Sequence, residues 1–297
     1  MSSSAGEQQP DSSWPGASSA DGTLGRLSRR TWLGGACGCL LSAAGGAVAG
    51  RAGWFGQQRD ARVLHGTSTS ALRTQTREAR ARAQPNAIFN VRTKAPVVGL
   101  SFDDGPDPDY TPHVLDFLAS RDASATFFSI GVNALAHSEL LARQVAEGHT
   151  IGNHTYDHAD LELLSEAKVK AQIERGASAL RRCGAPRPTL FRPPRGFTDE
   201  AVGVLADADL YQTVFWTVCL EKFVNHQPIA SGVAEMMTHV KPGSIILAHD
   251  GGTIEAPRRH TNDRSKTMEA LPVLFDALHK RALRGVGIPE LVSFGGY

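Results

Sequence analysis

Cysteine is scarce: four in 297 residues, two of them (Cys37 and Cys39) inside an N-terminal apolar stretch, so no disulfide framework is available. Charge of one sign is missing too. With 31 Lys+Arg against 30 Asp+Glu, a chain-wide nucleic-acid binder is excluded. Low-complexity runs are few and 41% of residues are hydrophobic, which excludes a wholly disordered chain. There is no internal repeat. Long apolar runs are also lacking: Trp32–Ala49 is dense in Gly and Ala, and it falls at the short limit of the roughly 20 residues a membrane span needs.

What is present divides the chain into four parts. Residues 1–25 are rich in Ser, Gly, Ala and Asp and cannot bury enough surface to offset chain entropy, so a disordered tail is expected. Residues 26–49 read as a twin-arginine export signal. Arg26-Leu27-Ser28-Arg29-Arg30-Thr31-Trp32-Leu33 leads into the uncharged Gly34–Ala49, and Ala47-Val48-Ala49 offers a small-x-small cleavage site. A secreted or cell-wall-associated product follows, with an uncleaved membrane anchor as the alternative. Residues 50–95 hold nine basic groups against two acids and show poor apolar periodicity. They read as a flexible basic linker, either solvated or lying against anionic cell-wall polymer or lipid headgroups. Residues 96–297 form the remaining domain, expected to be a monomer.

In that domain short apolar runs alternate with longer amphipathic ones, the signature of parallel β/α units. Strands are expected at Val97–Phe102, Ala125–Ile130, His149–Asn153, Thr189–Arg192, Tyr211–Trp216, Ser244–His249 and Val286–Val292. Helices are expected at Tyr110–Ser120, Ser138–Glu147, Ser165–Arg182, Asp199–Ala208, Pro228–Val240 and Thr267–Arg284. About seven parallel strands suggest a distorted (β/α) barrel, an α/β fold. Asp103, Asp104, His154, Arg192, Trp216 and His249 then fall at or just after strand ends, where such barrels collect catalytic groups.

His154-Thr155-Tyr156-Asp157-His158 spaces two imidazoles at i and i+4, which on a helical turn would face one metal ion. One carboxylate from Asp103-Asp104 completes a three-ligand set with an open position, as in catalytic zinc sites. Asp103-Asp104-Gly105-Pro106 would also suit a plain turn, but a turn needs no second acid.

Ser101-Phe102-Asp103-Asp104-Gly105-Pro106, His154-Thr155-Tyr156-Asp157-His158, Arg192-Pro193-Pro194 and Leu247-Ala248-His249, in this order, resemble the signature blocks of the polysaccharide deacetylases, carbohydrate esterase family four, the NodB-homology domain. The resemblance runs from about Val97 to the C-terminus. It implies a divalent metal, zinc or cobalt, held by Asp104, His154 and His158, and hydrolysis of N- or O-acetyl groups on a carbohydrate polymer such as peptidoglycan or chitin. It further implies Asp103 as base, His249 as acid, Arg192 as the partner of Asp103, and Pro194, Arg195, Trp216 and Leu247 as substrate-binding groups, with Leu247 lining a pocket for the acetyl methyl.

Two blocks depart from the family pattern. Arg195 stands where an aromatic residue is usual and would add positive charge at the mouth. After Trp216, the segment Thr217-Val218-Cys219-Leu220-Glu221-Lys222-Phe223 places Cys219 and Lys222 where acids would support His249. A Lys beside His249 would weaken it as an acid, unless Glu221, one position away, takes the place of the lost acid. This departure motivates the alternative of a metal-retaining glycan-binding module without turnover. Another single-metal amidase or a phosphoesterase is a third class, the latter disfavoured because ligands for only one metal are found.

Overall fold

The computed structural model describes residues 76–252 and 263–297. The expected tail, the twin-arginine segment, Cys37, Cys39 and residues 50–75 of the linker lie outside the described residues. No helix among the described residues is long and apolar enough to cross a membrane.

The fold is a distorted (β/α) barrel. The described residues hold eight parallel strands: β1 Val97–Asp103, β2 Thr126–Ser129, β3 Thr150–Asn153, β4 Leu190–Phe191, β5 Gln212–Thr213, β6 Val218–Cys219, β7 Ile245–His249 and β8 Arg284–Val286. Their order is β5-β4-β3-β2-β1-β7-β6, with β8 also on β1. The central strand, Val-Val-Gly-Leu-Ser-Phe-Asp, is buried along its whole length, as a parallel strand covered on both faces must be. It pairs β7 on one side, and β8 and then β2 on the other.

This register positions the chemistry. Asp103 lies level with His249 on β7 and with Phe128 on β2, and Leu247 lies level with both Ser101 and Cys219. Because side chains alternate, Leu247 and His249 share a face of β7, while Ile246 and Ala248 turn the other way into the main hydrophobic cluster.

Six helices match the sequence reading: α2 Thr111–Ser120, α4 Ser138–Ala146, α5 Glu166–Arg182, α6 Glu200–Ala208, α8 Ile229–Thr238 and α9 Ser265–Lys280. Four were not expected: α1 Arg77–Ala83, α3 Gly131–Ala136, α7 Glu221–Val224 and α10 Ile288–Ser293. The last replaces most of the expected strand Val286–Val292. Pro289 fits the first turn of a helix, and Ile288 and Leu291, three apart, are buried together against Gly99 of β1. The two-residue β6 is too short to leave a pattern.

The domain also begins earlier than residue 96. Thr76 caps α1 by accepting from Ala79 N at 3.2 Å. Ile88 and Val91 are each 1% exposed, and burying such side chains stabilises by about 1.5–3 kcal/mol each. Residues 88–91 bridge the edge strand β5 to the turn that leads into β7: Ile88 N donates to Thr213 O at 2.9 Å, Phe215 N to Ile88 O at 2.8 Å, and Val91 N to Gly243 O at 2.8 Å. Cys183 and Cys219 are both buried and free.

Candidate metal centre and active site

The first strand delivers two adjacent carboxylates to different tasks. Asp103 is extended on β1, whereas Asp104 has φ 75, so its side chain leaves in another direction. Asn133 of α3 holds this bend, its Nδ2 donating to Asp104 O and to Gly252 O, each at 2.7 Å.

Asp103 Oδ1 accepts from Arg192 Nη1 at 2.5 Å. Arg192 is 0% exposed, and its remaining contacts fix the guanidinium: Nη1 donates to Ser101 Oγ at 3.0 Å, Nε to Val214 O at 3.0 Å and Nη2 to Phe215 O at 3.1 Å, with the Phe128 ring 4.0 Å below. A buried Arg with its donors so satisfied is a fixed positive wall behind Asp103.

His154 and His158 arrive on an irregular loop, not on a helical turn. Thr155 and His158 have φ of 72 and 63, an uncommon conformation for a β-branched residue and for histidine. The surroundings over-determine it. Asn153 Oδ1 accepts from Thr155 N at 3.0 Å, Gln172 Oε1 from Tyr156 N at 3.1 Å, and Thr155 Oγ1 from His158 N at 3.1 Å. The start of α3 donates to the loop carbonyls, Gly131 N to Thr155 O and Val132 N to Tyr156 O. Gly176 of α5 lets the helix approach, since a Cβ there would sit 2.5 Å from Asn153 Oδ1 and 2.7 Å from the Thr155 carbonyl carbon. A mid-helix Gly costs about 0.5–1 kcal/mol relative to Ala, offset here by the close approach.

The three candidate ligand atoms converge. Asp104 Oδ1 lies 3.4 Å from His154 Nε2 and 3.3 Å from His158 Nε2. His154 Nδ1 is 2.7 Å from Arg192 O, a carbonyl that can only accept, so Nδ1 carries the proton and Nε2 presents its lone pair to Asp104. Burial first, with the neighbouring imidazoles and Arg195 adding to it against Asp104, holds His158 down to about 4, so this ring is neutral. Asp104 is held below the ordinary carboxylate range, against its burial, by the charged groups around it, His249 among them. Oδ1, buried, has no hydrogen-bond donor. Lone pairs facing one another across 3.3–3.4 Å, close to the edge of a tetrahedron around a cation held at roughly 2.1 Å, fit a zinc-like ion.

On the other side of the mouth, His249 ends β7 with Nδ1 3.1 Å from Glu221 Oε2, while its backbone N donates to Glu221 Oε1 at 2.8 Å. Thr267 Oγ1 also donates to Oε1, at 2.9 Å. Burial alone would push both groups towards neutrality, but each is the other's counter-charge. Glu221 is therefore held down at about 2 and His249 pushed up to about 9. Lys222, expected to weaken His249, is exposed on α7, and Cys219 is buried behind Glu221. The acid that pairs with His249 is thus Glu221, not a residue at the Cys219 or Lys222 positions.

The expected substrate-side residues fall around this centre. Pro194, Arg195 and Gly196 form a tight turn, with Arg195 at φ 54 and Gly196 at φ 67, against which Trp216 packs. Arg195 is ion-paired with Asp160, so the free positive charge expected from it at the mouth is largely neutralised. Trp216 lies between Arg192 and Arg80, whose guanidinium carbons are 5.6 and 4.9 Å from its ring. Leu247 is buried on the face of β7 that carries His249.

Three contributors escaped the sequence reading. Arg264 Nη2 lies 3.2 Å from Asp104 Oδ2, leaving Oδ1 for the imidazole side. Asp250 is fully buried beside Thr111, which donates to its Oδ2 at 2.7 Å, and burial above all pushes it up to about 7. Arg80 comes from α1. The first and last approach from more than a hundred residues away in sequence, and no local signal marks them.

Comparison with known proteins gives one consistent answer. Residues 90–214 match the family model described as polysaccharide deacetylase. The chain is 37% identical to a peptidoglycan-N-acetylglucosamine deacetylase of Bacillus cereus, over 69% of this chain and 92% of that protein. It is 37% identical to a chitooligosaccharide deacetylase of Sinorhizobium fredii, over 67% of this chain and 93% of that one. Among solved structures it is similar to a peptidoglycan N-acetylglucosamine deacetylase in complex with 4-naphthalen-1-yl-N-oxidanyl-benzamide, with a TM-score of 0.64, 28% identity, and coverage of 73% of this chain and 97% of that one.

Proposed function

The chain belongs to the polysaccharide deacetylase family, carbohydrate esterase family four, and from that membership we propose that it is an exported, metal-dependent enzyme removing N-acetyl groups from N-acetylglucosamine units of peptidoglycan or a chitin-type glycan. The observation that carries the reading is the pairing of two opposed devices at one mouth. Asp103 is fixed by Arg192 beside the Asp104–His154–His158 cluster, and His249, charged by Glu221, ends the neighbouring strand at the same level.

Asp104, His154 and His158 would hold zinc or cobalt. When bound, such an ion polarises the acetyl carbonyl and makes a water acidic near neutral pH. Asp103 accepts that water's proton, its other oxygen being tied to Arg192. The N–H of Arg195, in its left-handed turn, supports the charge that develops on the carbonyl oxygen. His249 gives its proton to the departing amine, and Glu221 keeps the ring protonated until then. Leu247 lines the pocket for the acetyl methyl, and Trp216 contributes apolar surface on the sugar side of the mouth.

Cys219 and Lys222 raised the reading of a glycan binder without turnover. Glu221 against His249 removes its motive, and a pure binder has no use for Asp103 as base. The twin-arginine segment and the basic residues after it support export to a wall-facing compartment. The test is acetate release from N-acetylglucosamine oligomers and from peptidoglycan by the zinc- or cobalt-loaded full chain. Release that disappears in both His154→Ala and Asp103→Asn supports the reading. Absence of release from every acetylated glycan, with metal bound, overturns it.

A further inference from the structure

The proton-donor side of the mouth holds a second set of ligating atoms. Cys219 Sγ, a Glu221 carboxylate oxygen and a His249 ring nitrogen all lie within 4.8 Å of one another. Cys219 Sγ donates to Glu221 Oε2 at 3.3 Å, and His249 Nδ1 approaches the same oxygen at 3.1 Å without the alignment of a hydrogen bond. The three come from the end of β6, the first residue of α7 and the end of β7, so main-chain pairing fixes their separation: Leu220 N donates to Leu247 O, and His249 N to Glu221 Oε1, each at 2.8 Å.

We propose that Cys219, Glu221 and His249 form a second, inhibitory site for a thiophilic divalent cation, cadmium or zinc in excess. Sulfur, carboxylate oxygen and imidazole nitrogen are the donor set that zinc takes in tetrahedral sites, and the soft thiolate adds preference for cadmium over magnesium or calcium. Binding releases two protons to solvent, one from the thiol and one from Nδ1. Burial and then Glu221 hold the thiol well above its ordinary value, so this site fills after the Asp104–His154–His158 site, which has no thiol proton to lose. With Nδ1 occupied, His249 keeps only its Nε2 proton on a neutral ring and no longer serves as an imidazolium donor. The inhibitory half rests on the deacetylase reading; the occupancy half does not.

The full chain is titrated with cadmium while three quantities are followed: bound metal, the cadmium–thiolate charge-transfer band, and acetate release relative to each variant's own value at one equivalent. Two equivalents are expected to bind. The second should bring in the band, protect the Cys219 thiol from alkylation as mapped by mass spectrometry, and lower activity about tenfold or more. Cys219→Ser and Cys219→Ala should keep the first equivalent and lose the band and the inhibition, whereas Cys183→Ser, altering the other buried thiol, should keep both. Alkylation mapping on the unaltered chain stands even where a variant fails to fold. A band that survives in Cys219→Ser, or a Cys219 thiol left unprotected at saturation, overturns the site. Protection of Cys219 with undiminished acetate release overturns the inhibitory role, and protection in a chain that releases no acetate even when loaded with zinc or cobalt overturns the deacetylase reading while leaving the cation site standing.

Discussion

Two histidines at one mouth are held in opposite protonation states, His158 down at about 4 and His249 up at about 9. Burial pushes both the same way, so burial cannot be what separates them. The carboxylates can. Asp104 is divided between two imidazoles and Arg264, and what it gives His158 does not outweigh burial. Glu221 faces a single imidazole, and its other oxygen is held by the backbone of that same residue. One carboxylate for one ring makes His249 an acid; one carboxylate shared between two rings and a cationic neighbour leaves His158 neutral and suited to a metal.

The comparison breaks most completely at the ligand side. His154→Ala should abolish stoichiometric zinc, measured by elemental analysis after dialysis, and bring acetate release to background. Asp103→Asn should keep the metal and lose about 10²–10⁴ in kcat. Next, Glu221→Gln should cost about 10–100-fold in kcat and move the alkaline limb of the pH–rate profile from about 9 towards the ordinary imidazole value of 6.5. The limb moves down because the acid form of His249 is the active one, and without Glu221 it is lost at lower pH. A profile that does not move would show that Glu221 only packs.

The same pair carries a stability signature. His249, raised on folding, contributes fully below pH 6.5 and loses this as the pH rises through about 9; Glu221, lowered, contributes fully above 4.5 and loses this as the pH falls through about 2. Thermal melts of the metal-free chain should lose this contribution on both sides of a plateau at pH 4.5–6.5, and Glu221→Gln should flatten the profile. A smaller effect belongs to Gly176→Ala, whose Cβ would press on Asn153 and Thr155. It should destabilise by about 1–3 kcal/mol in denaturant titration and weaken metal binding without touching a ligand. Smallest is Lys222→Gln. Exposed and away from His249, it should change stability by no more than about 0.5 kcal/mol and leave the pH profile in place.

The blocks at Asp103-Asp104, His154–His158, Arg192 and His249 were legible because each rides on a strand end, and strand periodicity survives in sequence. The helical turn expected for His154–His158 was wrong in its reason though right in its product: the i, i+4 spacing works through left-handed residues that tertiary contacts impose. Glu221 was visible only as a near miss, since the offset of one residue depends on α7 beginning at that position. Arg264 and Arg80 act across more than a hundred residues, and spacing along a chain holds no record of such contacts. The early start of the domain was hidden because basic residues dominate the composition of 50–95, while the few apolar ones, Ile88 and Val91 among them, hold it to the barrel.

The bridging segment at residues 88–91 decides how much of the N-terminal region can be shed. Cleavage ahead of Thr76 leaves the bridge in place. Cleavage just after Val91 would keep every catalytic side chain but free residues 88–91 to leave, baring Thr213 O and Phe215 N at the edge strand β5 and Gly243 O ahead of β7. Such a bare flank is a template for a strand from another molecule. The trimmed enzyme would then be lost to self-association before its chemistry failed.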